Sequence, residues 1–123
     1  MKKPMPYEFL LDYLPANIVI KPAIGMFYIY FAGKIVFIFR ETAKNPQHNG
    51  IWISTKQAHH DSLKAELPAI AEFDLEDGFD INWLLLSNSH DDFERTAIML
   101  CELVAKNDGR IGKVTPVSTA LFQ

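Results

Sequence analysis

The stretch Met26–Arg40, MFYIYFAGKIVFIFR, constrains this chain more than any other. Two apolar runs, Met26–Phe31 and Ile35–Phe39, flank the joint Ala32-Gly33-Lys34. Nearly all the side chains are β-branched or aromatic, types that suit a pleated, packed surface. A short glycine-bearing loop between two such runs predicts a β-hairpin, with Gly33 at its bend in a conformation that disfavours a side chain. Alternation along the first run sets Phe27, Ile29 and Phe31 on one face and Met26, Tyr28 and Tyr30 on the other. Neither face is charged, so both are expected to be covered at least in part. The hairpin is then the centre of a sheet with helices laid on it.

The remaining composition sets limits around that sheet. A chain of 123 residues fits one domain and buries roughly two-thirds of its unfolded surface, enough for a core without staples. The hydrophobic share of 49% and charged share of 22% are ordinary globular values. A net charge of −3 argues against a domain whose main task is to grip phosphate backbones, because that affinity comes from clustered cations. The single cysteine, Cys101, excludes an intrachain disulfide framework and a cysteine-built zinc site, which suits a reducing cytoplasm. Glu8, Asp12 and Pro15 break the N-terminal apolar run, so it does not read as a signal peptide. Gly33-Lys34 interrupts the longest apolar stretch, so no membrane span is expected.

Along the chain, residues 6–14 predict a short helix ended by Pro15, and Asn17–Lys21 a strand that Pro22 confines to an edge. Residues 41–50 form a long polar loop with the turn dipeptides Asn45-Pro46 and Asn49-Gly50. Gly50–Ser54 reads as a strand with Ile51 and Ile53 on one face and Trp52 on the other. Ser54 and Gln57 have capping-box spacing, opening a helix to about Leu67 with Ala58, Leu63 and Leu67 inward. A polar turn is expected at Glu76-Asp77-Gly78, then an interior strand over Asp80–Ser87. The clearest helix runs from about His90 to Lys106, with Asn88 or Ser89 as cap. Its buried stripe is Phe93, Ala97, Leu100, Cys101 and Val104, and Glu94, Arg95 and Glu102 take the outer face. Asn107-Asp108-Gly109 ends it, and residues 110–123 are expected to form a loosely packed tail.

Taken in order, several of these pieces resemble a known grouping. They are the Gly25–Lys34 hairpin entry, Gly50-Ile51-Trp52-Ile53, Trp83-Leu84-Leu85-Leu86, Asp92-Phe93-Glu94 with Cys101-Glu102-Leu103-Val104, and Asp108-Gly109-Arg110-Ile111-Gly112-Lys113. Over residues 15–113 the chain looks like the small bacterial proteins grouped with the TfoX N-terminal domain and YjbR. The TfoX-type entry reads Met-Phe-Gly-Gly where this chain has Ala23-Ile24-Gly25-Met26, so the resemblance is to the broader YjbR-like grouping. It implies an α+β fold over residues 1–123, with a central antiparallel sheet flanked by N- and C-terminal α-helices, similar to secretion chaperones. It transfers no catalytic residues. Its members are associated with competence regulation and DNA binding.

Candidate functional residues are sparse. His48, His59, His60 and His90 lack the spacing of a known zinc motif and read as surface histidines, leaving a metal-assisted enzyme as the remotest reading. Cys101 falls on the apolar stripe and reads as core rather than nucleophile. Asp91, Asp92 and Glu94 suit a helix start. Arg110 and Lys113, with Lys106 and joined by the N-terminal Lys2 and Lys3, form a small basic patch whose first two members are candidate anion contacts. Tyr28, Tyr30 and Trp52 form a candidate partner surface, unless a terminal helix packs on it. No catalytic constellation is assembled and no cofactor is implied. The expected role is therefore a non-enzymatic, cytoplasmic interaction or regulatory domain that binds a protein partner or forms a homodimer through Tyr28, Tyr30 or Trp52. A nucleic-acid-binding module is the alternative.

Overall fold

Ala32 and Gly33 carry φ of 53° and 77°. Two successive left-handed residues are what a tight two-residue hairpin requires, because that turn matches the right-handed twist of its strands. The expected bend at Gly33 is therefore present, and it joins strands Met26–Phe31 (β2) and Lys34–Arg40 (β3). The computed structural model describes residues 5–23, 25–72 and 83–114. Around the hairpin stand Val19–Ala23 (β1), Gly50–Ile53 (β4), Ala71–Glu72 (β5) and Leu84–Ser87 (β6). Every pairing is antiparallel, and the order is β1-β2-β3-β4-β6-β5. With the helices His60–Glu66 (α1) and Phe93–Ala105 (α2), this is an α+β fold.

Alternation divides the strand residues as expected. Ile29, Phe37, Phe39, Ile51, Ile53, Leu84 and Leu86 line the main core with Leu10, Leu14, Leu63, Leu67 and the α2 stripe. Tyr30, Ile35 and Ile38 form a smaller cluster with Met26, Tyr28, Trp52 and Trp83. One irregularity breaks the rule. Ile29 pairs with Phe37 but Tyr30 pairs with Ile35, so Val36 is an extra residue in β3. This bulge lets Val36 and Phe37 both enter the main core, and it re-aims the hairpin tip that carries Lys34.

Several expectations are corrected. The N-terminal segment is a 3-10 helix, Glu8–Tyr13, not an α-helix. It lies against α2 on the main-core face, so neither it nor α2 covers the Tyr28–Trp52 face. The first strand is shifted to Val19–Ala23 and runs through Pro22, which β1 tolerates as an edge strand. The Ser54 capping box does not form. The Ser54 side chain is fully buried without a hydrogen-bond partner, and the following turn starts at Gln57 with no side-chain cap. Ala58 is exposed, whereas Leu63 and Leu67 point inward as expected. The long helix begins at Phe93, past Asn88 and Ser89, and a backbone N–H of Asp92 donates to His90 Nδ1 (3.0 Å) instead. Its stripe Phe93, Ala97, Leu100, Cys101 and Val104 is buried. β5 was not expected from sequence. The turn at Glu76-Asp77-Gly78, the start of the strand expected over Asp80–Ser87 and residues 115–123 lie outside the described residues.

Candidate functional site: a cationic concavity at the hairpin tip

Of the tail expected over residues 110–123, the described part, 110–114, is held against the rest of the fold. Asn107, in the left-handed region at φ 57°, turns the chain out of the helix. Arg110 then acts as a clamp. Its Nε donates to Asp108 Oδ1 (3.0 Å), its Nη1 to Ser62 Oγ (2.8 Å), and its Nη2 to Asp108 Oδ2 and Glu66 Oε1 (2.8 Å each). The guanidinium fork is matched to two carboxylates, so Asp108 is held below the usual carboxylate range by that hydrogen bonding and Arg110 is held more firmly protonated still. The candidate anion contact Arg110 thus uses most of its donors to bind the 108–113 segment to α1.

Beyond the clamp the chain is stitched to the sheet. Thr55 Oγ1 donates to the Arg110 carbonyl (2.6 Å), and Ile111 is buried. Gly112 N–H donates to the Ser54 carbonyl (2.7 Å), and Lys113 and Ile35 exchange two backbone hydrogen bonds of 3.0 Å. Gly112 makes this approach feasible. At φ 111° it sits where side chains are strained, and a Cβ there would lie 3.3 Å from both Lys34 Cβ and Val36 Cγ1. Lys34 therefore lays its stem over a glycine, and Lys113 is brought beside it.

The result is an open concavity of about 430 Å³ lined by Lys34, Lys56, His59, Arg110, Lys113 and Val114 with Gly109 and Gly112. Lys34 comes from the hairpin tip, Lys56 from the turn after β4, and Lys113 from the C-terminal segment. Among the described residues none of these three ammonium groups is ion-paired. Partial burial, helped by the Lys56 charge, pushes the Lys113 ammonium below its ordinary pKa. Like charges gathered at a partly desolvated site destabilise the fold unless an anion stands among them.

The other candidates are placed differently. Tyr30 is buried, at 1% exposure, so it offers no partner contact; Tyr28 and Trp52 are half-buried on the same face, and Trp52 Nε1 donates to the His48 carbonyl (2.9 Å). His60 is also buried and not a surface histidine. Its Nδ1 lies 3.5 Å from Glu72 Oε1, which Lys64 Nζ also approaches to 3.5 Å, tying α1 to β5. Among the described residues no three His, Cys, Asp or Glu side chains converge as metal ligands would. Cys101 is sealed in the core, and burial pushes its thiol up to about 12. Among those residues, no helix is long and apolar enough to cross a membrane.

Reading the sequence named Lys113 but missed Lys56, and treated Lys34 only as part of a turn. A lysine at a hairpin bend is too common to signal a site; only the tertiary return of Gly112-Lys113 to the hairpin joins the three. Compared with protein-family models, curated proteins and solved structures, the chain matches none of them.

Proposed function

We propose that this chain is a non-enzymatic binding domain that engages an anionic partner at the concavity formed by Lys34, Lys56 and Lys113. The observation that carries this reading is that three lysines from three separated segments, none ion-paired among the described residues, line one concavity. The protein as a whole is acidic, at −3, so this convergence is not the by-product of a generally basic surface. The non-enzymatic part rests on the separation of the reactive residue types: the sealed Cys101 lies in the core and the histidines are distributed over three segments.

By resemblance, the chain is further proposed to be a TfoX N-terminal or YjbR-like domain with a secretion-chaperone-like arrangement, acting in the cytoplasm. Its support is the order of the motifs from Gly25–Lys34 to Asp108–Lys113 and the single cysteine.

Retention on phosphocellulose at low salt tests the anion reading. The wild-type protein is expected to be retained despite its net charge, and a K34E/K56E/K113E variant to flow through. A K21E/K44E/K106E variant, with the same net charge, is expected to be retained. Equal behaviour of the two triple variants, or no retention of the wild type, overturns it.

A further inference from the structure

We infer that the ligand of this concavity is a compact diphosphate group, free or carried on a small molecule, clasped by Lys34, Lys56 and Lys113. The inference rests on the anionic-partner reading above and narrows it by shape and lining. A volume of about 430 Å³ falls in the range of small-molecule sites, roughly 300–1,000 Å³. Among the described residues the lining supplies three lysines, and Val114 is its one aliphatic side chain. Three compact point charges on flexible stems suit several phosphate oxygens better than one planar carboxylate, for which a guanidinium fork is the better match. The one guanidinium present, Arg110, is already committed to Asp108, Glu66 and Ser62.

The same features disfavour an extended nucleic acid. Single strands are held by aromatic platforms on which bases stack, and among the described residues the concavity has no Phe, Tyr or Trp in its lining. A duplex is held by many cations along a track, and three lysines release few counterions, giving a log–log salt slope of only about −3. Outside the concavity, a chain of net charge −3 repels the rest of a long polyanion. A compact ligand touches only the local charge.

Two features pre-organise the site. Lys34 is packed along Gly112, which a side chain at that position would displace. Lys113 is fixed through its own backbone pairing with Ile35. A bound diphosphate would also restore the proton affinity that partial burial and Lys56 remove from Lys113. Binding is therefore expected to take up protons in the alkaline range where free Lys113 begins to lose its own.

Titration calorimetry of the full chain with inorganic pyrophosphate, ADP, orthophosphate and a single-stranded oligonucleotide tests the inference. Pyrophosphate and ADP are expected to bind within a few-fold of each other, since the lining offers a nucleoside little, and orthophosphate about tenfold more weakly. K56Q and K113Q are each expected to weaken pyrophosphate by about tenfold, while K21Q leaves it unchanged. Across the alkaline range, heats in buffers of different ionisation enthalpy should reveal proton uptake for the wild type that K113Q removes. A wild type that binds pyrophosphate no better than orthophosphate, or an oligonucleotide that binds more tightly through the same lysines, overturns the diphosphate assignment. If phosphocellulose retention still depends on Lys34, Lys56 and Lys113 in that case, the anionic-partner reading survives; if it does not, both fall. Circular dichroism of each variant separates lost binding from lost folding.

Discussion

At the scale of single residues, burial governs the chemistry. The Cys101 thiol is raised from 9.0 to about 12 because burial disfavours its thiolate, and the Tyr7 hydroxyl from 10.0 to about 12 for the same reason, opposed by its hydrogen bond from Asn88. Both groups hold their protons more tightly folded than unfolded. Their contribution to stability is therefore complete below the unfolded values and is lost as pH rises through the folded ones. Urea unfolding is expected to show stability falling between pH 9 and 12, with the early part of the fall missing in Cys101→Ala. An unchanged slope in that variant would assign the fall to other groups. Cys101 was readable because periodicity alone puts it on the apolar stripe. Ser54 was not: its spacing to Gln57 is that of a capping box, but its backbone is committed to Val36 and Gly112, which buries the hydroxyl away from the turn.

At the scale of elements, what the sequence hides is long-range. The hairpin and α2 declare themselves through alternation and a helical stripe. The Val36 bulge does not, because β3 is apolar on both faces and alternation carries no information there. The clamp around Arg110 is equally silent, since Asp108, Ser62 and Glu66 meet only in the folded chain. Its worth is measurable. Arg110→Ala is expected to cost about 1 kcal/mol in urea unfolding, as a partly exposed network rather than a buried ion pair. Arg110→Lys should recover little of it, because an ammonium cannot serve both carboxylates and Ser62 with the geometry of the fork. Full recovery by lysine would show that charge alone holds the segment. The β1 edge has its own protection: Lys21 and Pro22 stand on it, and a proline lacks the donor that an added strand needs.

At the scale of the whole molecule, stability is graded across the sheet. Ile35–Phe39 of β3 is buried on both faces and flanked by strands on both sides, whereas β1 is an exposed edge and β5 only a two-residue one. Native-state hydrogen exchange is expected to be slowest in β3 and its partners in β2 and β4, and fastest in β1 and β5. Equal protection of β1 and β3 amides would mean that the edge is covered in solution. The backbone pairing of Ile35 with Lys113 adds an order in time to this order in space. The six strands found among the described residues lie between Val19 and Ser87, so a chain emerging from synthesis holds what it needs to pair them before Arg110 and Lys113 exist. The concavity gains its last wall only when Ile111 is inserted and Lys113 reaches the hairpin. Occupancy at that corner therefore reports that synthesis has passed Lys113, and a ligand present during synthesis adds its binding free energy to chains that have reached that point and to none of the shorter ones.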